Sequence, residues 1–204
     1  MGTPKTIGSG EVHAAIERLA EAISSRHAGD QRLLLLGIAN GGVALAKHLA
    51  ALLTRELPPQ SPKSAKSAKS PHPSPVAPRL QVTVGTLDIS FHRDDIGRHP
   101  IPKEFAPTHI PADVPGAMVI LVDDVLFSGR TVKAALDELF DHGRPRKVEL
   151  AVLVDRGGRL LPVAADYTGL TVTAAPDERV MVTLDPKNPQ ADAVSVLPNR
   201  KSKI

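Results

Sequence analysis

Short runs of apolar residues that alternate with helical patterns constrain the fold of this chain most strongly. The clearest runs span residues 32–38, 117–122 and 147–155. Strands that are apolar on both sides belong mainly to parallel sheets, because helices cover both faces of such sheets. The pattern therefore predicts an α/β fold with a mostly parallel central sheet flanked by helices.

The other elements predicted from the sequence follow the same alternation. Helical spacing of apolar residues predicts helices over 11–26, 41–53 and 131–142, and further strands are predicted over 80–89, near 164–170 and near 179–184. A chain of 204 residues is long enough for one such domain. We predict that this domain spans residues 10–185.

Three segments differ from this pattern. Residues 58–79 hold seven of the 19 prolines and a Lys-Ser-Ala repeat, which predicts a disordered insertion within the domain. Residues 90–116 are polar and rich in proline, as is typical of a long loop over an active site or of disorder. Residues 186–204 are predicted to form a flexible basic tail.

The positive charge of the chain is concentrated in two of these segments. The formal net charge is +3 and the pI about 9.3. The insertion and the last five residues hold seven cations and no acid: Lys63, Lys66, Lys69, Arg79, Arg200, Lys201 and Lys203. The remaining body is therefore net negative, and with four Phe, one Tyr and no Trp it lacks the aromatic residues on which single-stranded bases stack.

The composition also excludes some kinds of site. Without cysteine, the chain has no disulfide, thiolate zinc site or cysteine nucleophile, and a reducing cytoplasm is its predicted location. No apolar run approaches the roughly 18 residues of a membrane span. The eight histidines show no pair at metal-ligand spacing on a helix, so we interpret them as ordinary surface or core side chains.

A carboxylate pair followed by a phosphate-type turn is the main functional signal. Asp123 and Asp124 end a predicted strand, and F127-S-G-R-T131 leads into the next helix. Glycine, hydroxyl groups, an arginine and the free N–H groups of a helix start suit a phosphate, whereas two carboxylates suit sugar hydroxyls or a magnesium ion. A ligand that needs both is a ribose 5-phosphate.

Other interpretations of the pair stay open at this point. Receiver domains and nucleotide hydrolases also end strands in two acids, and the pair can simply be solvated. The chain contains no G-x-x-x-x-G-K-[ST] loop and no complete G-x-G-x-x-G after a strand, which weakens the nucleotide-binding alternatives.

Three motifs in order carry a family resemblance. Residues 119–139 resemble the phosphoribosyl pyrophosphate (PRPP) signature of type I phosphoribosyltransferases. Residues 87–95 and 153–169 are similar to the pyrimidine operon regulator/uracil phosphoribosyltransferase (PyrR) family. The resemblance covers roughly residues 10–185. It implies the type I phosphoribosyltransferase fold, with a flexible loop over the active site.

The resemblance also implies roles for individual residues. Asp123 and Asp124 would be catalytic and bind the ribose hydroxyls, and Arg93 would be catalytic at the start of the flexible loop. The other PRPP-binding residues implied are Val125, Leu126, Phe127, Ser128, Gly129, Arg130 and Thr131 around the phosphate, and Ala39, Asn40 and Gly41 around pyrophosphate. The base would lie by Arg156, Gly157 and Val172. Mg²⁺ would be held through the substrate and not by a dedicated protein site. Asp123 and Asp124 would support it.

The same residues have simpler interpretations. Arg93 and Arg156 can be surface ion-pair residues worth under about 1 kcal/mol each. Asp155 can merely end its strand, and Gly41 can serve only a tight turn.

The chain departs from the family pattern in three places. The pyrophosphate turn has Ala39-Asn40-Gly41-Gly42 where the family usually has Thr-Arg-Gly or Ser-Arg-Gly, so it contains no cation. Residues 169–175 differ near the base site, which leaves the base preference open. The first helix carries Glu11, Glu17 and Glu21, where regulators of the family present polar and basic residues to RNA.

Two functions from different classes follow. The first is transfer of the phosphoribosyl group from PRPP to uracil, which gives UMP and pyrophosphate. The second is an RNA-binding regulator of pyrimidine genes that senses UMP and has weak or no catalysis. The resemblance also implies a homodimer or a larger homo-oligomer.

Overall fold

The computed structural model describes residues 5–39, 41–55, 80–92 and 107–199. In chain order the elements are β1 (Lys5–Ile7), α1 (Ser9–Arg26), β2 (Arg32–Ile38), α2 (Gly41–Arg55), β3 (Gln81–Leu87), β4 (Met118–Leu126), α3 (Arg130–Asp141), β5 (Lys147–Asp155), β6 (Tyr167–Thr171), β7 (Glu178–Thr183) and β8 (Ala193–Pro198), with a single 3₁₀ turn at Pro189–Ala191.

Five parallel strands form the central sheet, in the order β3-β2-β4-β5-β6. Alternate residues of β2 and β4 point to opposite faces: Leu35 and Ile120 pack with α1 and α2, whereas Leu36 and Leu121 pack with α3. Helices therefore cover both faces, which confirms the predicted fold class.

The predicted elements agree closely with the structure except at the carboxyl end of β4. This strand was predicted to end at residue 122, but it continues through Asp123 to Leu126. The reason is backbone pairing, since Asp123 lies opposite Val152 and Leu126 opposite Asp155 in the parallel ladder with β5. The carboxylate pair is therefore held on a strand, which is a more rigid support than a loop.

A second sheet, which the sequence did not predict, joins the two ends of the described chain. Its three antiparallel strands have the order β1-β8-β7. The flexible tail predicted from residue 186 onward is therefore wrong for Ala193–Pro198, which forms β8. Val194 and Val196 are buried against the α1 and α2 side of the core, and this burial holds the strand in place.

Several predicted features lie outside the described residues. They are the whole insertion, residues 93–106 of the long loop (which include Arg93), Asn40 and the basic residues after 199. Among the helices that the structure describes, none combines the length and the hydropathy needed to cross a membrane.

Candidate active site

The site lies between β2 and β4, where the strand order reverses: the chain continues from β2 to β3 on one side and from β4 to β5 on the other. β2 and β4 are neighbours, yet α2 leaves β2 toward one face of the sheet and α3 leaves β4 toward the other. The two helices diverge and leave a crevice beyond the carboxyl ends of the strands, which is the usual ligand position in open α/β sheets. Both the turn after β2 and the Asp123-Asp124 pair lie at this crevice.

The turn after β2 contacts the carboxylate pair directly. A methyl group added at Gly41 would lie 2.2 Å from Asp124 Oδ2, and one at Gly42 would lie 2.0 Å from the carbonyl oxygen of Val122. The start of α2 can approach β4 this closely only because these positions lack a side chain. The close approach confirms the tight-packing interpretation of Gly41. Its role in binding pyrophosphate stays a prediction.

Asp123 and Asp124 are held in an environment that disfavours two negative charges. Asp123 is buried, and its Oδ1 accepts a hydrogen bond of 3.0 Å from the Asp124 N–H. Burial raises the pKa of the Asp123 carboxyl well above its usual range, and the neighbouring Asp124 charge adds to this effect. Burial also raises the pKa of Asp124.

These two carboxyls fit a cation or a set of hydroxyl donors. Carboxylate oxygens are the ligands that Mg²⁺ prefers, and a cation nearby would offset the repulsion between the two acids. Ribose hydroxyls would satisfy the same oxygens by donating hydrogen bonds.

The predicted phosphate turn connects β4 to α3 in a conformation that only glycine adopts easily. Gly129 has φ +90° and caps α3, which begins at Arg130. The Ser128 hydroxyl accepts a hydrogen bond of 3.3 Å from the Arg130 N–H. The first-turn N–H groups of α3 point away from the helix at this end and favour an anion.

The predicted base-binding segment lies beside this turn. The Arg156 guanidinium stacks 3.9 Å from the centre of the half-exposed Phe127 ring, a favourable cation–π arrangement. Arg156 Nη2 donates to the carbonyl oxygens of Ala175 and Glu178, at 3.1 and 2.8 Å. Within the described part of the chain, the buried Arg156 Nε has no hydrogen-bond partner. Arg156 is thus fixed beside the phosphate turn by an aromatic ring and two carbonyl oxygens and not by a surface ion pair with a described residue.

The sequence analysis did not single out Arg159. This residue connects the turn after β4 to the end of β5. Its Nη1 donates to the Phe127 carbonyl oxygen at 2.8 Å, and its Nη2 donates to Asp155 Oδ2 at 2.6 Å. Asp155 Oδ1 accepts a further hydrogen bond of 2.8 Å from the Gly157 N–H, so Asp155 orders this turn as well as ending β5. The spacing of the two arginines around Gly157 and Gly158 was the only signal in the sequence.

The remaining predicted residues differ in their exposure. Val172 is buried in the core, and its N–H donates to the Asp155 carbonyl oxygen at 2.9 Å. The Ala39 N–H donates to the Leu87 carbonyl oxygen at 2.9 Å and is engaged in the sheet. The Ala39 amide is therefore not available to pyrophosphate, and the described residues at the start of α2 stay predicted contacts. Thr131 and Arg130 are exposed at the start of α3.

Replacing Gly41 by Ala tests the contact between α2 and Asp124. The added methyl group would displace the Asp124 carboxylate, and a misplacement of this kind is expected to lower kcat/KM for the reaction at this site roughly 10²-fold. Gly10→Ala is the matched control, because a methyl group there meets no atom within 4 Å. Steady-state kinetics and thermal unfolding of both variants measure the effect. Normal activity of Gly41→Ala would show that the position of Asp124 is unimportant.

Relatives identify the family. Residues 8–183 match the phosphoribosyl transferase domain family. The chain is 39% identical over 198 residues to the Bifunctional protein PyrR of Roseiflexus sp. strain RS-1, a match that covers 97% of this chain and 96% of that protein. It is 44% identical over 175 residues to the Bifunctional protein PyrR of Streptomyces coelicolor, covering 85% of this chain and 79% of that protein.

Solved structures support the same fold at lower sequence identity. The hypoxanthine-guanine phosphoribosyltransferase of Bacillus anthracis superposes with a TM-score of 0.61 at 18% identity, covering 94% of this chain and 96% of that one. The hypoxanthine phosphoribosyltransferase of Trypanosoma cruzi gives a TM-score of 0.62 at 18% identity, with 94% of each chain covered. Together with the sequence relatives, these similarities show that the chain belongs to the phosphoribosyl transferase domain family and, within it, to the PyrR proteins.

Proposed function

We propose that this protein transfers the 5-phosphoribosyl group from PRPP to uracil, giving UMP and pyrophosphate. One observation carries the proposal: the Asp123-Asp124 pair, the glycine-capped start of α3 and the start of α2 all meet in the crevice beyond β2 and β4. This arrangement offers acceptors for ribose hydroxyls between two helix starts that suit phosphate groups.

The proposed chemistry asks for electrostatic stabilisation and not for a protein nucleophile. As pyrophosphate leaves the anomeric carbon, positive charge develops on the ribose and negative charge on the leaving group. Asp123 and Asp124 would hold the ribose and stabilise its positive charge. The N–H groups at the starts of α3 and α2 would bind the 5-phosphate and the pyrophosphate. Mg²⁺ bound with PRPP would neutralise charge on the pyrophosphate, and the two carboxylates fit it as supporting oxygen ligands.

The base is proposed to lie against the segment around Arg156. Two features support this position: the guanidinium is fixed by stacking on Phe127 and by two carbonyl acceptors, and Arg159 holds the segment to the phosphate turn. A pyrimidine offers carbonyl oxygens as acceptors. Arg93, at the start of the loop outside the described residues, is proposed to approach PRPP from the open side.

A transferase assay tests the proposal. Purified protein with Mg²⁺ and PRPP is given labelled uracil, hypoxanthine, guanine or orotate in parallel, and the nucleotide products are separated. UMP formation that depends on PRPP is expected. If no base yields a nucleotide, the transferase function is wrong.

A second function is UMP-sensitive RNA binding. It is favoured because the relatives of this chain carry the name Bifunctional protein PyrR. Against it stands the charge of α1, where Glu11, Glu17 and Glu21 are all exposed. RNA phosphates would meet negative charge on this helix. Gel-shift titration with pyrimidine-operon leader RNA, with and without UMP, tests the regulator function. If UMP does not change the binding and only the salt concentration does, the protein is not a specific UMP-sensing regulator.

A further inference from the structure

Three side chains from distant parts of the sequence meet at the last turn of α3. His92 Nε2 lies 3.0 Å from Glu138 Oε2 and 3.4 Å from Asp141 Oδ2. Each of the three residues offers one potential ligand atom, and these three atoms all lie within 4.8 Å of one another. His92 follows β3, whereas Glu138 and Asp141 are three residues apart on one side of the helix.

The two separations from His92 Nε2, 3.0 and 3.4 Å, are close to those between ligand atoms around a shared metal ion. Two ligand atoms that are each 2.0–2.1 Å from a tetrahedral Zn²⁺ lie about 3.3 Å apart. An imidazole nitrogen with two carboxylate oxygens is a ligand set for zinc and similar transition metals, whereas Mg²⁺ prefers oxygen ligands alone.

Neighbouring groups hold Glu138 in the orientation that such a site needs. The Thr108 hydroxyl donates a hydrogen bond to Glu138 Oε1, and His142 Nε2 lies 3.2 Å from the same oxygen. The other oxygen, Oε2, faces His92. Hydrogen bonds to the second oxygen of a ligating carboxylate are the usual way in which proteins fix a metal ligand.

The cluster is accessible from solvent but is not fully exposed. The side chains of His92, Glu138 and Asp141 are 24%, 14% and 70% exposed. A cation can therefore enter past Asp141, and water can complete its coordination.

We propose that His92, Glu138 and Asp141 form a binding site for one divalent cation of the zinc class. The site is separate from the Mg²⁺ expected with PRPP, because Asp141 ends α3 and Arg130 begins it. At 1.5 Å per residue these two positions are about 16 Å apart. The histidine spacing in the sequence could not reveal this site, since only folding brings His92 to the end of α3.

Metal titration of the whole, tag-free protein tests the proposal. The protein is first treated with a chelator and is then titrated with ZnCl₂ by calorimetry. Excess Mg²⁺ is present throughout, so that sites made of oxygen ligands alone are already occupied. We expect His92→Gln to weaken one Zn²⁺ binding event roughly 100-fold, because loss of even an outer-shell partner costs 10–100-fold. His48→Gln, a half-buried histidine on α2, is the matched control and should bind as the unaltered protein does.

Two further measurements separate metal binding from misfolding. Asp141→Asn changes a mostly exposed side chain, so it should fold normally and still weaken Zn²⁺ binding about tenfold or more. Bound Co²⁺ should give a visible absorption spectrum of low-symmetry coordination that disappears in His92→Gln. The proposal fails if the unaltered protein binds no Zn²⁺, if His92→Gln binds as tightly as the unaltered protein, or if His48→Gln loses as much affinity. None of these results depends on transferase activity.

Discussion

Replacing Asp124 by Asn is expected to lower kcat/KM for PRPP by roughly 10²–10³, because the variant loses a negative charge beside the ribose, where positive charge develops. The substitution preserves the size of the side chain. Steady-state kinetics with uracil and Mg²⁺ measure the loss, and near-normal rates would remove Asp124 from the reaction.

The same substitution is expected to leave the unliganded protein as stable as before, or more stable. Burial raises the pKa of the Asp124 carboxyl, so ionisation is harder in the folded protein than in the unfolded chain. A carboxyl with a raised folded pKa lowers stability as the pH rises above its unfolded pKa near 3.8, and a neutral Asn removes this effect. Thermal unfolding at pH 7 without ligand provides the check. A large fall in the midpoint would show that Asp124 supports the fold, and the kinetic loss could then not be assigned to chemistry.

A second large effect is expected at the amino end of β5, far from the site. The fully buried Glu149 carboxylate accepts hydrogen bonds from Tyr167 Oη at 2.6 Å and from Lys147 Nζ at 2.7 Å. It also lies 2.9 Å from His27 Nε2 and 3.2 Å from Arg26 Nε. A buried carboxylate with this many partners is costly to replace by an amide, because the negative charge is lost and an NH₂ donor then faces other donors.

Glu149→Gln is expected to lower the free energy of unfolding at pH 7 by about 3 kcal/mol, within the range for breaking buried ion pairs. Glu21→Gln on the exposed side of α1 is the matched control and should change it by less than about 0.5 kcal/mol. Urea unfolding followed by circular dichroism measures both. Equal stability of the two variants would show that the buried network contributes nothing.

The dependence of stability on pH provides an independent test of the same network. Burial raises the pKa of Glu149, but the hydrogen bonds from Lys147, Tyr167 and His27 outweigh it and lower the pKa from 4.5 to about 2. A lowered folded pKa gives stability that is complete above pH 4.5 and is lost as the pH falls toward 2, by roughly 3 kcal/mol in total. In Glu149→Gln this part of the acid transition should disappear. A transition of unchanged steepness between pH 4.5 and 2 would contradict the assigned cause.

The central sheet could be predicted from the sequence because its signals are local. The predicted bounds of β2 and β5 agree with the structure to the residue, since a strand buried on both faces carries a run of apolar residues. β8 was missed although it also carries apolar residues, because its pairing is not local. Ala193–Pro198 is a short apolar run near the polar end of the chain, and it forms a strand because β1 and β7 pair with it on either side.

For the site, the sequence by itself determined the chemistry of each part: two adjacent carboxylates, a glycine turn before a helix, and a segment with two arginines. Only the tertiary structure decided which of these parts meet. The contact between Gly41 and Asp124, the cross-connection by Arg159, and the meeting of His92 with Glu138 and Asp141 join residues that are 30 or more positions apart. Their distances depend on the order of strands and on the faces that the helices cover, and no local pattern of side chains specifies either.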